Sequence, residues 1–374
     1  MNIPEFSLER FQSLYEHHVD FNLSESGVHP LTVRDLLTED EIDAFLDTRL
    51  IYEQTNGPQQ LRENISLLYE GSNADNVLVT SGTIEANFVT FISLLSAGDE
   101  FVYMLPNYQQ FKGMAETFGV NLKPFYLQEE HGWQPDLDAL TATITDKTKV
   151  IALCNPNNPT GVLLSDEARA HIINLASKVG AWLVVDEIYR GSEHNGQLTP
   201  SFWGCYDKVI VTSGLSKAFG LPGLRIGWLV APEHITDRAW GVKDYTSITA
   251  ATLSYDLATR ALTPALRSKI WGRNINLVKQ NLALLANWVN EQAGLFSLTV
   301  PDAAAMAFVK YHADIASETL ADRLHKQQSV LVVPGVHFGL EHFVRIGYGL
   351  ETEKLEAALA RIAEEVKGLE LVPH

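Results

Sequence analysis

Cysteine is scarce in this sequence: the 374 residues hold two, Cys154 and Cys205, and neither stands in a C-x-x-C or other metal-ligand spacing. That argues against a disulfide framework and against a structural metal site, so no metal is expected. Positive charge is also short. With 28 Lys and Arg against 46 Asp and Glu, the formal charge is −18, and such a field repels nucleic acid and anionic membrane surfaces. It leaves room for a local basic pocket that takes one small phosphate, and it is compatible with a cationic substrate. No apolar run approaches the length of a membrane span. The opening MNIPEFSLERFQSLYEHH has neither an apolar signal core nor an arginine cluster, so a cytoplasmic protein is expected. Repeats, low-complexity stretches and long Gly/Ser linkers are missing as well.

What is present is ordinary globular composition, 46% apolar and 20% charged, in a chain long enough for two domains. Phe6, Phe11, Leu14 and Tyr15 recur at helical spacing, which predicts a short docked helix within residues 6–18. Short β-branched runs follow at 77–80, 100–103, 150–153, 181–185, 208–212 and 226–230. They read as buried strands of a mostly parallel sheet, with helices between them. Leu277, Leu282, Leu285 and Trp288 predict a long helix from Ser268 to about Gly294. Short strands near 308–310 and 330–333 and a last helix from Glu351 complete a smaller α+β tail. The expected organisation is an arm and loop over 1–45, a large α/β domain over 46–270 and a small domain over 271–374.

In an open parallel sheet, ligands bind at the carboxyl ends of the strands. Here those ends carry Ser81-Gly82-Thr83, the run Asn155 to Gly161, Asp186-Glu-Ile-Tyr189 and Ser213-Gly-Leu-Ser-Lys217. Each suits a phosphorylated pyridine aldehyde. Gly82 and Thr83 open a helix, whose free N–H groups and dipole favour a phosphate. Arg225, eight residues after Lys217, supplies a bidentate cation to the same phosphate. Asp186 can keep a pyridine nitrogen protonated, making the ring an electron sink. Lys217 can bind the aldehyde covalently and then move the substrate's α-proton. Gly220-Leu-Pro-Gly223 is not a dinucleotide fingerprint, and no Ser-His-Asp set competes.

At these residues the sequence resembles the aminotransferase class I/II family of pyridoxal 5′-phosphate (PLP) enzymes, fold type I. The resemblance runs through most of the chain: Y-E-Q-T-N-G-P from Tyr52, T-S-G-T-I-E-A-N from Thr80, P-N-Y from Pro106, N-P-N-N-P-T-G, D-E-I-Y, S-K-A-F-G-L-P-G-L-R-I-G-W from Ser216 and V-R-I-G-Y from Val344. It implies that Tyr108 stacks on the pyridine ring and that Asn158 and Tyr189 bond its phenolic oxygen. It also implies that Arg345 grips the substrate carboxylate. Tyr52 would reach the phosphate of a neighbouring subunit, which implies a homodimer with shared active sites. One position departs from the pattern. Where family members often place a phosphate-binding Ser or Thr, three residues before the lysine, this chain has Gly214, and Ser213 or Thr212 are the candidate substitutes.

The reaction is read from a loop. Asp20 to Thr32 carries Ser24-Glu25-Ser26-Gly27-Val28-His29 where ordinary aminotransferases have a hydrophobic-Leu-Gly-x-Gly-x-Pro pattern. With Val330 to Gly339, it resembles the capreomycidine- and enduracididine-forming hydroxyarginine cyclases. Those enzymes expel a hydroxyl from a hydroxylated arginine and let the guanidine close a ring. Expulsion needs a general acid, for which His29 is the candidate. A guanidinium needs a carboxylate, from Glu9, Glu16 or Glu25; Glu9 and Glu16 could equally face solvent on an amphipathic helix. Gly27 sits in the same loop and is expected at the substrate. The alternative is a conventional aminotransferase passing an amino group to a 2-oxo acid. A PLP-sensing regulator would need a basic DNA-binding extension, and the first residues hold none. His17 and His18, on different helix faces, are read as surface residues.

Overall fold

The computed structural model describes residues 3–292 and 294–369. Its central sheet has eight strands in the order Val77–Thr80, Gly227–Val230, Val209–Gly214, Trp182–Asp186, Thr148–Cys154, Glu100–Leu105, Asn121–Gln128, Gln134–Pro135. The run from Val209–Gly214 to Asn121–Gln128 is parallel throughout. Only Gly227–Val230 and the terminal Gln134–Pro135 run against their neighbours. All of the β-branched runs expected as strands of this sheet are strands.

Period-two alternation divides these strands between two apolar clusters. Val77, Val79, Ile151, Leu153, Leu183, Val185, Val209 and Val211 face one; Leu78, Val150, Ala152, Val184 and Ile210 face the other. The first side is covered by helices including Gln59–Ser66 and Asp166–Val179, the second by Thr83–Leu94, Gln110–Phe118 and Glu233–Lys243. A sheet buried on both faces has no use for polar side chains along its strands, so its strands read as continuous apolar runs. Asn121–Gln128 escaped that reading because it lies near the sheet edge, contains Pro124 and buries only Phe125 and Leu127.

A second, antiparallel sheet orders Phe296–Leu298, Met306–Tyr311, Phe343–Gly347 and Val333–Pro334. The long helix begins at Pro264, where proline costs no hydrogen bond, and ends at Glu291. Ile270 packs against the large sheet's core, whereas Val278, Leu285 and Val289 join a third cluster with the small sheet and the last helix, Thr352–Val366. Leu23 and Val28 of the loop belong to that third cluster too. The expected strand at 330–333 divides in two. Val330–Leu331 pairs in parallel with Phe21–Asn22, and Val333–Pro334 turns to pair with Phe343–Gly347. Among the described residues no helix is long and apolar enough to cross a membrane, and no group of His, Cys, Asp and Glu could hold a metal ion.

Candidate active site

Strand register brings the polar ends together. Cys154 pairs with Asp186, and Asp186 with Thr212, across neighbouring parallel strands. Beyond them opens a cavity of about 310 Å³, lined among others by Glu9, Thr83, Tyr108, Asn158, Asp186, Tyr189, Lys217, Arg225 and Arg345. Residues scattered over most of the chain therefore meet at one edge of the sheet.

At one end, backbone and guanidinium form a cradle. Gly82 caps the helix Thr83–Leu94 with φ +81°, and a Cβ there would stand 2.4 Å from Arg225 Nη2. A Cβ on Gly227 would lie 2.3 Å from the Thr83 amide nitrogen, so the strand passes the helix end only as glycine. Arg225 is itself left-handed, at φ 51°, and its Nη1 donates to Ser216 Oγ at 3.3 Å and to the Pro222 carbonyl at 3.1 Å. The Thr83 hydroxyl is buried without a partner.

The same crowding explains the glycine at 214. Its Cβ would meet Thr83 Oγ1 at 2.6 Å and the Ile226 carbonyl at 2.8 Å, so no side chain fits there. Neither expected substitute takes over: Thr212 Oγ1 donates to Asn87 Oδ1 at 2.7 Å, and Ser213 Oγ to the Glu187 carbonyl at 3.2 Å. The hydroxyl at this place is that of Thr83.

On the cavity floor, Asp186 accepts from Asn87 Nδ2 at 3.0 Å and from the Ile188 amide at 3.0 Å. No cation sits beside it, and burial raises its pKa to about 6. Its neighbour Glu187 points the other way, into the core. There Ser201, the Phe202 amide and Arg190 hold it, and burial raises it to about 7. Tyr189 donates to Ser26 Oγ at 2.9 Å, and Tyr108 to Glu9 Oε1 at 2.6 Å.

At the opposite end Arg345 is buried, with Nη1 on Asn158 Oδ1 at 2.9 Å and Nη2 on the Ser24 carbonyl at 2.6 Å; its Nε has no partner. Burial works against its charge, while Tyr189, Glu25 and Glu9 favour it. The loop passes so close that a Cβ on Gly347 would stand 2.0 Å from the Glu25 carbonyl oxygen, and one on Gly349 2.2 Å from that of Gly27. Glu25 Oε2 lies 3.3 Å from Lys217 Nζ, and Lys217 and then Arg345 hold its carboxyl below the usual range. The N-terminal helix Ser7–Tyr15 is tied to this loop by Gln12 Nε2, which donates to the Ser24 carbonyl and hydroxyl at 3.0 Å. Glu9, Gln12 and Ser13 of that helix line the cavity, as does Glu16 just beyond it.

Two expected residues stand apart. His29 does not line the cavity; its Nδ1 is 3.7 Å from Glu351 Oε1, and its amide donates to the Gly349 carbonyl at 2.7 Å. The loop turns after Gly27 and carries His29 outward, a placement that lends a general-acid role no support. Tyr52 is 84% exposed and takes no part in this chain's own cavity. Gly27 lies against the lysine: a Cβ there would be 3.3 Å from Lys217 Cδ. Ser24, Ser26 and Gln12 were missed as loop anchors. The signal available was the Ser-Glu-Ser-Gly string together with the two glycines after Arg345.

The chain matches the family model of aminotransferase class I and II over residues 28–362. It belongs to that family. It is similar to capreomycidine synthase of Streptomyces vinaceus, 30% identical over 92% of this chain and 89% of that protein. It is also similar to an aspartate aminotransferase of Musicola paradisiaca, 30% identical over 78% and 74%. Among solved structures, a PLP-dependent aminotransferase from Streptococcus suis superposes with a TM-score of 0.94 at 31% identity, covering both chains fully. The PLP-dependent cyclase OrfR follows at 0.88 and 26%, with 97% of each chain covered. The protein is thus a PLP-dependent enzyme of fold type I. The cavity fits the cofactor: a glycine-walled cradle with an unpartnered hydroxyl suits the phosphate, and a buried carboxylate without a cation suits a protonated ring nitrogen.

Proposed function

We propose that this enzyme acts on an amino acid and cyclises a hydroxylated L-arginine to a capreomycidine- or enduracididine-type product. The observation that carries this reading is the sign of the cavity wall. Glu9, Glu16 and Glu25 line the cavity, and among the described residues its only Lys or Arg side chains are Lys217, Arg225 and Arg345. Each of those three has a task of its own. A guanidinium side chain would meet carboxylates there, in hydrogen bonds worth about 1.5–3 kcal/mol each. The side chain of a dicarboxylic substrate would meet like charge. The likeness to capreomycidine synthase and to the cyclase OrfR supports the same reading.

When bound, PLP supplies an electron sink for negative charge at the substrate's Cα. Lys217 would carry the cofactor and then take and return the proton at Cα. Gly82, Thr83 and Arg225 would hold the phosphate, Asp186 the ring nitrogen, Asn158 and Tyr189 the phenolic oxygen, with Tyr108 stacked on the ring. Arg345 would receive the substrate carboxylate. The net change is loss of one water and closure of a bond from a guanidine nitrogen to the carbon that bore the hydroxyl. Tyr52, with Leu46, Leu50 and Ile51, is exposed on the surface, as an arm reaching a second copy's phosphate would be. A homodimer acting in the cytoplasm is the corresponding assembly.

The second reading, amino-group transfer to a 2-oxo acid, rests on the likeness to an aspartate aminotransferase. The two separate in one assay. The PLP-loaded enzyme is incubated with β- and γ-hydroxyarginine, without any oxo acid, and followed by mass. Loss of water with all nitrogens retained is the result expected. Turnover only with 2-oxoglutarate or pyruvate, yielding a 2-oxo acid from the arginine derivative, would reverse the choice.

A further inference from the structure

Cyclisation moves protons at three places: Cα, the leaving hydroxyl and the attacking guanidine nitrogen. As the ring closes, a guanidinium must lose a proton so that its nitrogen can attack, while Cα must gain one. With Lys217 placed at Cα, a second group beside it can act as the base at nitrogen. When the hydroxyl leaves, the same second group can hand it the proton that the lysine has taken from Cα.

We infer that Glu25 is the second proton carrier of this site, in relay with Lys217. The inference rests on the cyclase reading, and it stands on geometry. Glu25 Oε2 is 3.3 Å from Lys217 Nζ. The residues on either side of Glu25 are fixed, Ser24 by Arg345 and Gln12 and Ser26 by the Tyr189 hydroxyl. Gly347 leaves just enough room for the Glu25 carbonyl. Of the other acids on the cavity, Glu9 is engaged by Tyr108 and Asp186 is held on the floor by Asn87 and the Ile188 amide. Glu16 lies beside His17.

For a hydroxyl on Cβ the steps balance as follows. Lys217 Nζ takes the Cα proton and passes it to the Glu25 carboxylate. The Glu25 carboxyl gives it to the hydroxyl, which leaves as water with the C–O electron pair, and the C–H pair becomes the Cα–Cβ double bond. Glu25 then takes a proton from the guanidinium, whose nitrogen forms the bond to Cβ. Glu25 passes that proton to Lys217, and as the double-bond pair returns to Cα the Lys217 ammonium protonates it. One water is lost and both side chains end as they began.

The test uses PLP-loaded wild type, Glu25→Gln and Glu25→Asp. Exchange of the Cα proton of L-arginine in D2O is followed by NMR, and water loss from β-hydroxy-L-arginine by mass. Glu25→Gln is expected to lower the ratio of water loss to Cα exchange by about 100-fold, the scale of one general acid–base group. Glu25→Asp should recover part of it. An unchanged ratio overturns the relay, whether both rates hold or both fall together, since Glu25 would then at most position Lys217. If wild type exchanges Cα protons but releases no water, the cyclase reading itself has failed, and that outcome is distinct from the first.

Discussion

Asp186→Asn should make the cofactor-free enzyme more stable and the cofactor-bound enzyme less so. In the apoprotein the Asp186 carboxyl sits at about 6 against an ordinary 3.8, because burial penalises its charged form. A rise of that size, at about 1.4 kcal/mol per pH unit, is about 3 kcal/mol held against the folded state once the group is ionised. Water in the cavity makes this an upper bound. A raised folded pKa means that the group's favourable contribution is complete below 3.8 and is lost as pH climbs through about 6. Asparagine never ionises, so it escapes the penalty. It has one acceptor oxygen for the two donors now on Asp186, Asn87 Nδ2 and the Ile188 amide, which costs about 1 kcal/mol. The net expectation for the apo variant at pH 8 is a gain of about 2 kcal/mol, shrinking by half or more at pH 5. Glu187 titrates in both proteins and cancels. Urea denaturation of the two apoproteins at both pH values measures the gain, and PLP titration should show weaker binding by the variant. An apo variant no more stable than wild type at pH 8, or a gain equal at pH 5 and pH 8, would refute the reasoning.

Gly82→Ala should weaken PLP binding tenfold or more, read by absorbance titration, since its Cβ would press on Arg225 Nη2 at 2.4 Å and φ is +81°. Glu9→Ala should raise KM for the arginine derivative more than it lowers kcat; an unchanged KM would leave Glu9 as a partner of Tyr108 alone. Gly347→Ala should destabilise the fold by about 1–3 kcal/mol and speed amide exchange at residues 23–27, because the loop carbonyl of Glu25 occupies the Cβ position. Lys217→Ala should abolish the visible absorbance of the lysine-bound cofactor without lowering the melting temperature of the apoprotein.

The large sheet was legible because its strands are buried on both faces, and such strands announce themselves as short β-branched runs. Where burial is one-sided, or a charge interrupts a buried run, the signal fades. Asn121–Gln128 hides behind Pro124 and its exposed residues, and Phe343–Gly347 is interrupted by Arg345, a charge kept in the core for its site. That the strand-end motifs meet at one cavity was legible for a different reason. They are short motifs in which a glycine or a charge has one geometric use, as at Gly82, Arg225 and Asp186. The substrate end was read less well. His29 was favoured by residue type and by its place in the loop, yet the chain turns after Gly27, and nothing local to His29 announces that turn.

That contrast has a physical root in where the two ends draw their rigidity. The cofactor end is built on strand termini, whose register is fixed by the sheet itself. The loop from Ser24 to Gly27 has no such frame and borrows one from partners hundreds of residues away. Arg345 holds the Ser24 carbonyl, Tyr189 holds Ser26, and Gly347 and Gly349 yield the space. Those partners are themselves site residues, so the loop is held in place by the groups it serves. On the proposed reading, a substrate carboxylate arriving at Arg345 would act on the same guanidinium that fixes Ser24, one residue from the carboxylate beside Lys217. Carboxylate binding and proton transfer would thereby be coupled through a single peptide unit, and changes in the loop should alter specificity and rate together.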